Sequence, residues 1–410
     1  MLMNIWKKYQ ATSLVIKMSS GFLLGILVAV LFREQAELLS PLGTILIRLL
    51  SLIALPVIFL TVVLAIGNMN IRQMGKLGGK LILYYAATTA MAVFIGVSLA
   101  LFFSPGAGLT LPNIEVSAPD VPNVADIFIH IVPNNIFAAF AAGDLMSIIF
   151  LAIIIGMAIS GMSYASDKKL QAQGVFLERL FSALNALFYK VLEGILLYAP
   201  LGVFAISAST FGMQGWATLK SLFLFTAVFY LGLAFLWSVV YTLFLKLSGN
   251  NVLAFFRNTK EAYSTAFFTT SSIATLPIAI AAAKKAGISD NTANFAIPLG
   301  AIFNSDGGAL RIGVSLVFAA NIMGLDLGWN DFIIIVVIGT LLSIGTAGVP
   351  AAGLVTLSAV LSVFGLPLEI VALIAGVDAL LSMGGTASNV TGDIVGAAVI
   401  DDKQAAPTPS

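Results

Sequence analysis

Two short runs in the C-terminal third of the chain carry most of its chemistry. The first is Asn304-Ser305-Asp306-Gly307-Gly308-Ala309-Leu310-Arg311, and the second holds Asp378, Ser382, Gly385, Thr386, Asn389 and Asp393. Both lie in apolar surroundings. In the second run the positions step by four, three, four and four, which places them on one stripe of a helix. In the first, Asn304 and Arg311 are seven residues apart, about two turns or ~10 Å. Gly307-Gly308 is expected to weaken or unwind that helix and free carbonyl oxygens. Carbonyl and carboxylate oxygens suit hard cations. An Asp/Asn/carbonyl cluster in a chain with no cysteine and one histidine, His130, points to an alkali cation rather than zinc or haem.

The elements that must position these residues are set by composition. Of 410 residues 59% are hydrophobic and 10% charged, against about 25% charged in soluble domains. A bilayer core of about 30 Å takes roughly 20 helical residues. Apolar runs predict spans at 13–32, 42–66, 81–103, 134–160, 176–198 and 222–247, with two more after residue 286, eight in all. The alternating strands of a β-barrel are absent. A net charge of +1 indicates no nucleic-acid partner. The expected location is the inner (plasma) membrane, as a multi-pass protein in contact with the lipid bilayer.

Basic residues orient the spans. Lys7, Lys8, Lys17, Arg72, Lys76, Lys80, Lys168, Lys169, Arg179, Arg257, Lys260, Lys284 and Lys285 fall on one side when both termini are cytoplasmic. Glu115, Asp120, Asp126, Asp326 and Asp331 fall on the other, with Arg33 the exception.

Two segments, 253–283 and 331–363, are apolar at their ends and polar or bent in the middle, at Thr269–Pro277 and Ser343–Gly353. They suit helical hairpins that enter the membrane and return, because irregular backbone at that depth must be buried or line a cavity. Each precedes a span with acidic residues, and paired interrupted segments mark a transporter site. A charge at the bilayer centre costs ~2.5–3.5 kcal/mol on insertion scales, so the buried acids should face protein, water or an ion.

Five motifs in order then carry a resemblance over nearly the whole chain. They are Tyr84-Tyr85-Ala86-Ala87-Thr88-Thr89, Ser271-Ser272 with Thr275-Leu276-Pro277, Asn304-x-Asp306-Gly307, Gly345-Thr346-Ala347-Gly348-Val349-Pro350, and Asn389-Val390-Thr391-Gly392-Asp393. Together they resemble the dicarboxylate/amino acid:cation symporter family, the glutamate-transporter homologues. The resemblance implies an all-α fold with eight transmembrane helices, two re-entrant hairpins and inverted repeats. It also implies a homotrimer and an elevator mechanism. Residues 1–75 (helices 1–2) and 105–199 (helices 4–5) would form the scaffold. Helix 3 (76–104) would join 200–403 in a transport domain. That domain would hold helix 6, hairpin 1 at 252–286, helix 7 at 289–323, hairpin 2 at 331–365 and helix 8 at 367–400, before a tail at 404–410.

About three Na⁺ sites are implied. Asp393 and Asn304 with carbonyls near Gly300 and Asn389 make one. Asp306 and Asn389 with Tyr85, Thr88 and Thr89 make another, and carbonyls around Ser343, Ile344 and Thr346 the third. The implied substrate site comprises Ser271, Ser272, the turn Val349–Gly353, Thr386 and Asn389. The sequence departs from the family at Ser305 (methionine), Gly308 (threonine), Ser382 (aspartate) and Gly385 (arginine). Asp378, the usual neighbour of that arginine, remains, and Arg311 lies at a depth where it reaches Asp378. Arg311 is therefore expected to supply the cation from span seven, pairing with Asp378, contacting an anionic substrate, or both. The expected function is sodium-coupled symport of a small organic anion or amino acid, and not enzymatic. A neutral amino acid is the alternative cargo. A channel and an intramembrane aspartyl protease using Asp306 and Asp393 are competing classes; Val-Thr-Gly-Asp departs from the protease's Gly-x-Gly-Asp.

Overall fold

A computed structural model of the protein describes residues 12, 14–67, 75–109, 132–214, 216–346 and 352–401. Lys7, Lys8, Arg72, Glu115, Asp120, Asp126, His130, Val349 and the tail 404–410 lie outside the described residues, as does the side chain of Lys76. All secondary structure among the described residues is helical, without strands. Helix α1 (Leu14–Phe32) joins α2 (Ser40–Gly67) through a 3-10 segment, Arg33–Leu39. Then follow α3 (Gly75–Phe103), α4 (Ile136–Ala142), α5 (Leu145–Ser163) and α6 (Lys168–Gln214). α7 (Trp216–Phe235) passes through a π-helical segment, Leu236–Tyr241, into α8 (Thr242–Leu247).

Five segments among the described residues are long and apolar enough to cross a membrane, and a sixth if a bent helix pair counts as one. The difference from eight expected spans has structural causes. Ile16–Leu64 runs 49 residues through α1 and α2 as one segment, far more than a single crossing needs. The span expected at 134–160 is divided, because Gly143 ends α4 in a left-handed conformation and Asp144 caps α5. Trp329–Ser343 and Gly353–Val363 are apolar but shorter. Large apolar side chains face outward along these helices, among them Leu23, Leu83, Phe102 and Phe223. A membrane protein places such residues against lipid.

The C-terminal third alternates helices with abrupt breaks. α9 (Val252–Thr269) and α10 (Ser272–Lys285) pack on each other as a hairpin. The turn sets Thr270 at φ 53 and Ser271 as the cap of α10, its Oγ accepting from Ala274 N at 3.2 Å. A β-branched residue at positive φ is uncommon and signals local constraint. α11 (Asp290–Phe303) and α12 (Asp306–Met323) follow, then α13 (Trp329–Thr346) and α14 (Ala352–Val363), which also pack together. α15 (Glu369–Ala375) meets α16 (Asp378–Ile400) at a 78° bend.

The unwinding expected at Gly307-Gly308 occurs just before them. Asn304 and Ser305 separate α11 from α12, and the glycines form the first turn of α12. Gly307 is needed there for approach: a Cβ would overlap the backbone of Gly385 on α16.

Packing separates the helices into two neighbourhoods. α1, α2, α5 and α6 pack mainly on one another. α3, α7, α9–α13 and α16 form the other, centred on α12, α16 and α3. The α3–α12 seam is close. A Cβ on Gly96 would lie 2.5 Å from Leu310 O, and one on Gly313 2.7 Å from Val93 O. Small residues let helix backbones approach in membranes, where apolar burial gives no added drive. Gly96→Ala should therefore force the helices apart and cost ~1–3 kcal/mol. A melting temperature in detergent equal to the parent's would contradict this seam.

Candidate functional site

The broken helices converge on two buried carboxylates. Asp306 opens α12 and is fully buried. Its Oδ1 accepts from Thr88 Oγ1 and Thr89 Oγ1, each at 3.0 Å, and its Oδ2 from Tyr241 Oη at 2.8 Å. Asp393 lies in the middle of α16, 1% exposed, and accepts from Asn304 Nδ2 at 3.0 Å. The same amide donates to Asn389 O at 3.0 Å. Asn389 Oδ1 accepts from Gly307 N at 2.8 Å, which caps the start of α12. Asn304 is thus held between α11, which its own N–H joins through Gly300 O at 2.7 Å, and α16.

No Lys, Arg or His pairs with Asp306 or Asp393 among the described residues. Asn304 Oδ1 is buried without a hydrogen-bond partner. Gly300 abuts both Tyr85 Oη and Asp393 Oδ1, so this carboxylate and the phenol meet at the bare backbone of α11. Tyr85 Oη donates to Ala296 O at 3.3 Å. Ser343 Oγ, on α13, donates to Ser305 O at 2.8 Å and ties the hairpin to the break in the helix. Ile344 and Thr346 end α13, with side chains outside the described residues.

A second cluster lies farther along α12. Arg311 Nη1 is 2.6 Å from Asp378 Oδ1, the first residue of α16. The charges touch, but the groups are not aligned for a hydrogen bond. Ser382 Oγ lies 3.5 Å from Asp378 Oδ2. Gly353, in the first turn of α14, sits against the guanidinium. The expected Arg311–Asp378 pair is therefore formed.

A chain of this kind has close counterparts. The family model for the sodium:dicarboxylate symporter family matches residues 14–403. The chain belongs to that family. It is similar to a proton/sodium-glutamate symport protein of Bacillus subtilis (strain 168), 31% identical over 93% of this chain and 90% of the relative. It is similar also to a proton/glutamate-aspartate symporter of Escherichia coli (strain K12), at 31% over 89% and 85%. A C4-dicarboxylate transport protein of Rhizobium etli is 30% identical over 96% and 90%. Transport and symport in a membrane follow from membership, and the protein is a transporter rather than an enzyme.

Within this symporter the structure brings Tyr85, Thr88, Thr89, Gly300, Asn304, Asp306, Asn389 and Asp393 into one bonded region. Arg311, Gly353, Asp378 and Ser382 form the adjoining one. Ser271 bonds within its own turn at the hairpin tip, next to Ser272. Thr386 is half-buried on α16, and Gly385 contacts Gly307 across the helix pair.

Sequence reasoning missed Tyr241 and Ser388. Tyr241 ends the π-helical segment, a feature frequent at functional sites. Its hydroxyl lies 3.1 Å from Ser388 O and 2.8 Å from Asp306 Oδ2, while Trp237 Nε1 donates to Ser388 Oγ at 3.0 Å. A tyrosine in a span that also holds Tyr230, Trp237 and several phenylalanines gives no distinct sequence signal. Tyr241→Phe should lower stability by about 1.5–3 kcal/mol, the range for a hydrogen bond to a charged group. Thermal unfolding against the parent measures it.

Proposed function

We propose that the protein is a sodium-coupled secondary active symporter for a small carboxylate-bearing solute. Its two hairpins are read as re-entrant gates among eight transmembrane helices, in a homotrimer with cytoplasmic termini. The observation that carries sodium coupling is the pair of buried carboxylates, Asp306 and Asp393, with no cationic side chain paired to either among the described residues. The orphaned Asn304 Oδ1 adds a further oxygen donor. An all-oxygen environment favours a hard monovalent ion over a soft metal. Asp393, Asn304 and the carbonyls of Gly300 and Asn389 are proposed as one ion site. Asp306 with Tyr85, Thr88, Thr89 and Asn389 is proposed as a second, and the carbonyls of Ser343, Ile344 and Thr346 as a third.

The solute is proposed to lie between the tips of the hairpins, against Ser271, Ser272, Val349, Gly353, Ser382, Gly385, Thr386 and Asn389, with Arg311 and Asp378 at one end. Asn304 and Asp306 flank the break between α11 and α12, and Asn389 caps that break from the middle of α16. Ion binding there neutralises the carboxylates and fixes the breaks, so the loaded and empty forms differ in charge and rigidity. The two packing neighbourhoods suit a scaffold and a transport domain moving as an elevator. The relatives' names, glutamate symporters and C4-dicarboxylate transporters, support a carboxylate cargo.

Protein in liposomes should accumulate its solute against a gradient only with Na⁺ outside, a result no channel gives. Replacing Na⁺ with K⁺ should stop uptake. Asp393→Asn should weaken the sodium-induced rise in melting temperature, with apparent Na⁺ affinity falling at least ~10-fold. Undiminished Na⁺ response in that variant would rule out the assigned site.

A further inference from the structure

Arg311 is 5% exposed, and Asp378 engages only its Nη1. Nε and Nη2 are both buried without a hydrogen-bond partner. These two atoms are not equivalent to any other pair on the side chain. In the planar guanidinium, Nε–H and one Nη2–H point the same way along one edge, spaced to meet the two oxygens of a carboxylate. Unmet buried donors are costly to leave unmade. Asp378 therefore holds the end of the fork and leaves its side-on edge intact.

The surroundings fit this use. A Cβ at Gly353 would overlap Nη1 and lie 2.8 Å from Cζ and 2.9 Å from Asp378 Oδ1. The bare backbone of α14 is thus what allows the guanidinium to lie between α12, α14 and α16. Ser382, one turn along α16 from Asp378, contributes a hydroxyl and no charge. Asp378 is the acid at this end of the site, and it is already engaged by Arg311. Nothing here demands an ammonium group on the solute.

We infer that the Nε–Nη2 edge of Arg311, oriented by Asp378 and admitted by Gly353, receives a carboxylate of the solute, and that the cargo is a dicarboxylate without a required amino group. Arg311 then bridges two carboxylates, one of the protein and one of the solute. Asp378 is a positioning residue that fixes the plane of the fork. This rests on the symport reading above and adds the class of cargo and the positions that select it.

The test uses the full chain in liposomes with an inward Na⁺ gradient and labelled succinate, with aspartate, butyrate and alanine as competitors. The parent should accumulate succinate, with aspartate competing and butyrate and alanine competing far less. Arg311→Lys keeps a cation facing Asp378 but has no side-on edge. It should lose succinate affinity by at least ~10-fold, the step that one charge-assisted hydrogen bond represents. Its Na⁺-induced thermal shift should persist. Gly353→Ala should do the same through displacement of the guanidinium. A purely structural ion pair predicts the opposite pattern, melting temperatures that change with the succinate-to-alanine preference intact. That pattern overturns the inference, as does a parent that transports alanine and not succinate under the Na⁺ gradient. If the gradient drives none of the four solutes in the parent, the symport reading itself fails and this inference falls with it.

Discussion

Asp306 and Asp393 are buried in a helical bundle and no basic side chain among the described residues meets them, and much of the surrounding architecture answers to that. Hydroxyls of Thr88, Thr89 and Tyr241 surround Asp306, and an amide of Asn304 serves Asp393. Hydroxyls and amides reduce the cost of a buried anion without neutralising it. A site of this kind remains responsive to a mobile cation.

The helix breaks follow from the same constraint. At Asn304 and Ser305 the backbone leaves the helix between α11 and α12, and Asn389 caps the new start through Gly307 N. Each break needs partners for the backbone groups it exposes, since lipid supplies none. The partners come from the facing helix: Asn389 and Asp393 on α16 satisfy Gly307 N and the Asn304 side chain at the break. Close approach makes this possible: Gly307 meets Gly385, while Gly96 and Gly313 bring α3 close enough for Thr88 and Thr89 to reach Asp306.

Much of this was legible in the sequence. Apolar run length located α1 and α2 within two residues and the end of α3, which begins six residues earlier than expected, and the three-and-four spacing of Asp378, Ser382, Gly385, Asn389 and Asp393 falls on one helix, α16. Less legible were features decided by tertiary contacts. The glycine pair has the weakest helix propensity in its run, yet the chain breaks at Asn304, whose side chain finds Asp393 and the Asn389 carbonyl. Propensity yields to a buried hydrogen-bond network. The break at Gly143–Asp144 did carry a local signal, a glycine followed by a capping aspartate, but the apolar residues on both sides outweighed it. The π-helical turn that aims Tyr241 has no composition signal, since nothing in Leu236–Tyr241 differs from an ordinary span.

The two charged clusters show opposite solutions in one bundle. Arg311 and Asp378 neutralise each other at 2.6 Å, so this end of the site carries little net charge without any bound ion. Among the described residues no cationic side chain neutralises Asp306 or Asp393. An ion entering the second cluster therefore changes the local charge, whereas a carboxylate entering the first meets a cation already positioned but incompletely used. In the proposed reading ion and solute share α12 and α16, with Asp306 and Arg311 between one and two turns apart on α12 and Asp378 and Asp393 about four turns apart on α16. Rigidity imposed on the helix breaks by one partner then lowers the ordering cost for the other. Coupling can arise from that shared backbone, without direct contact between the cation and the solute.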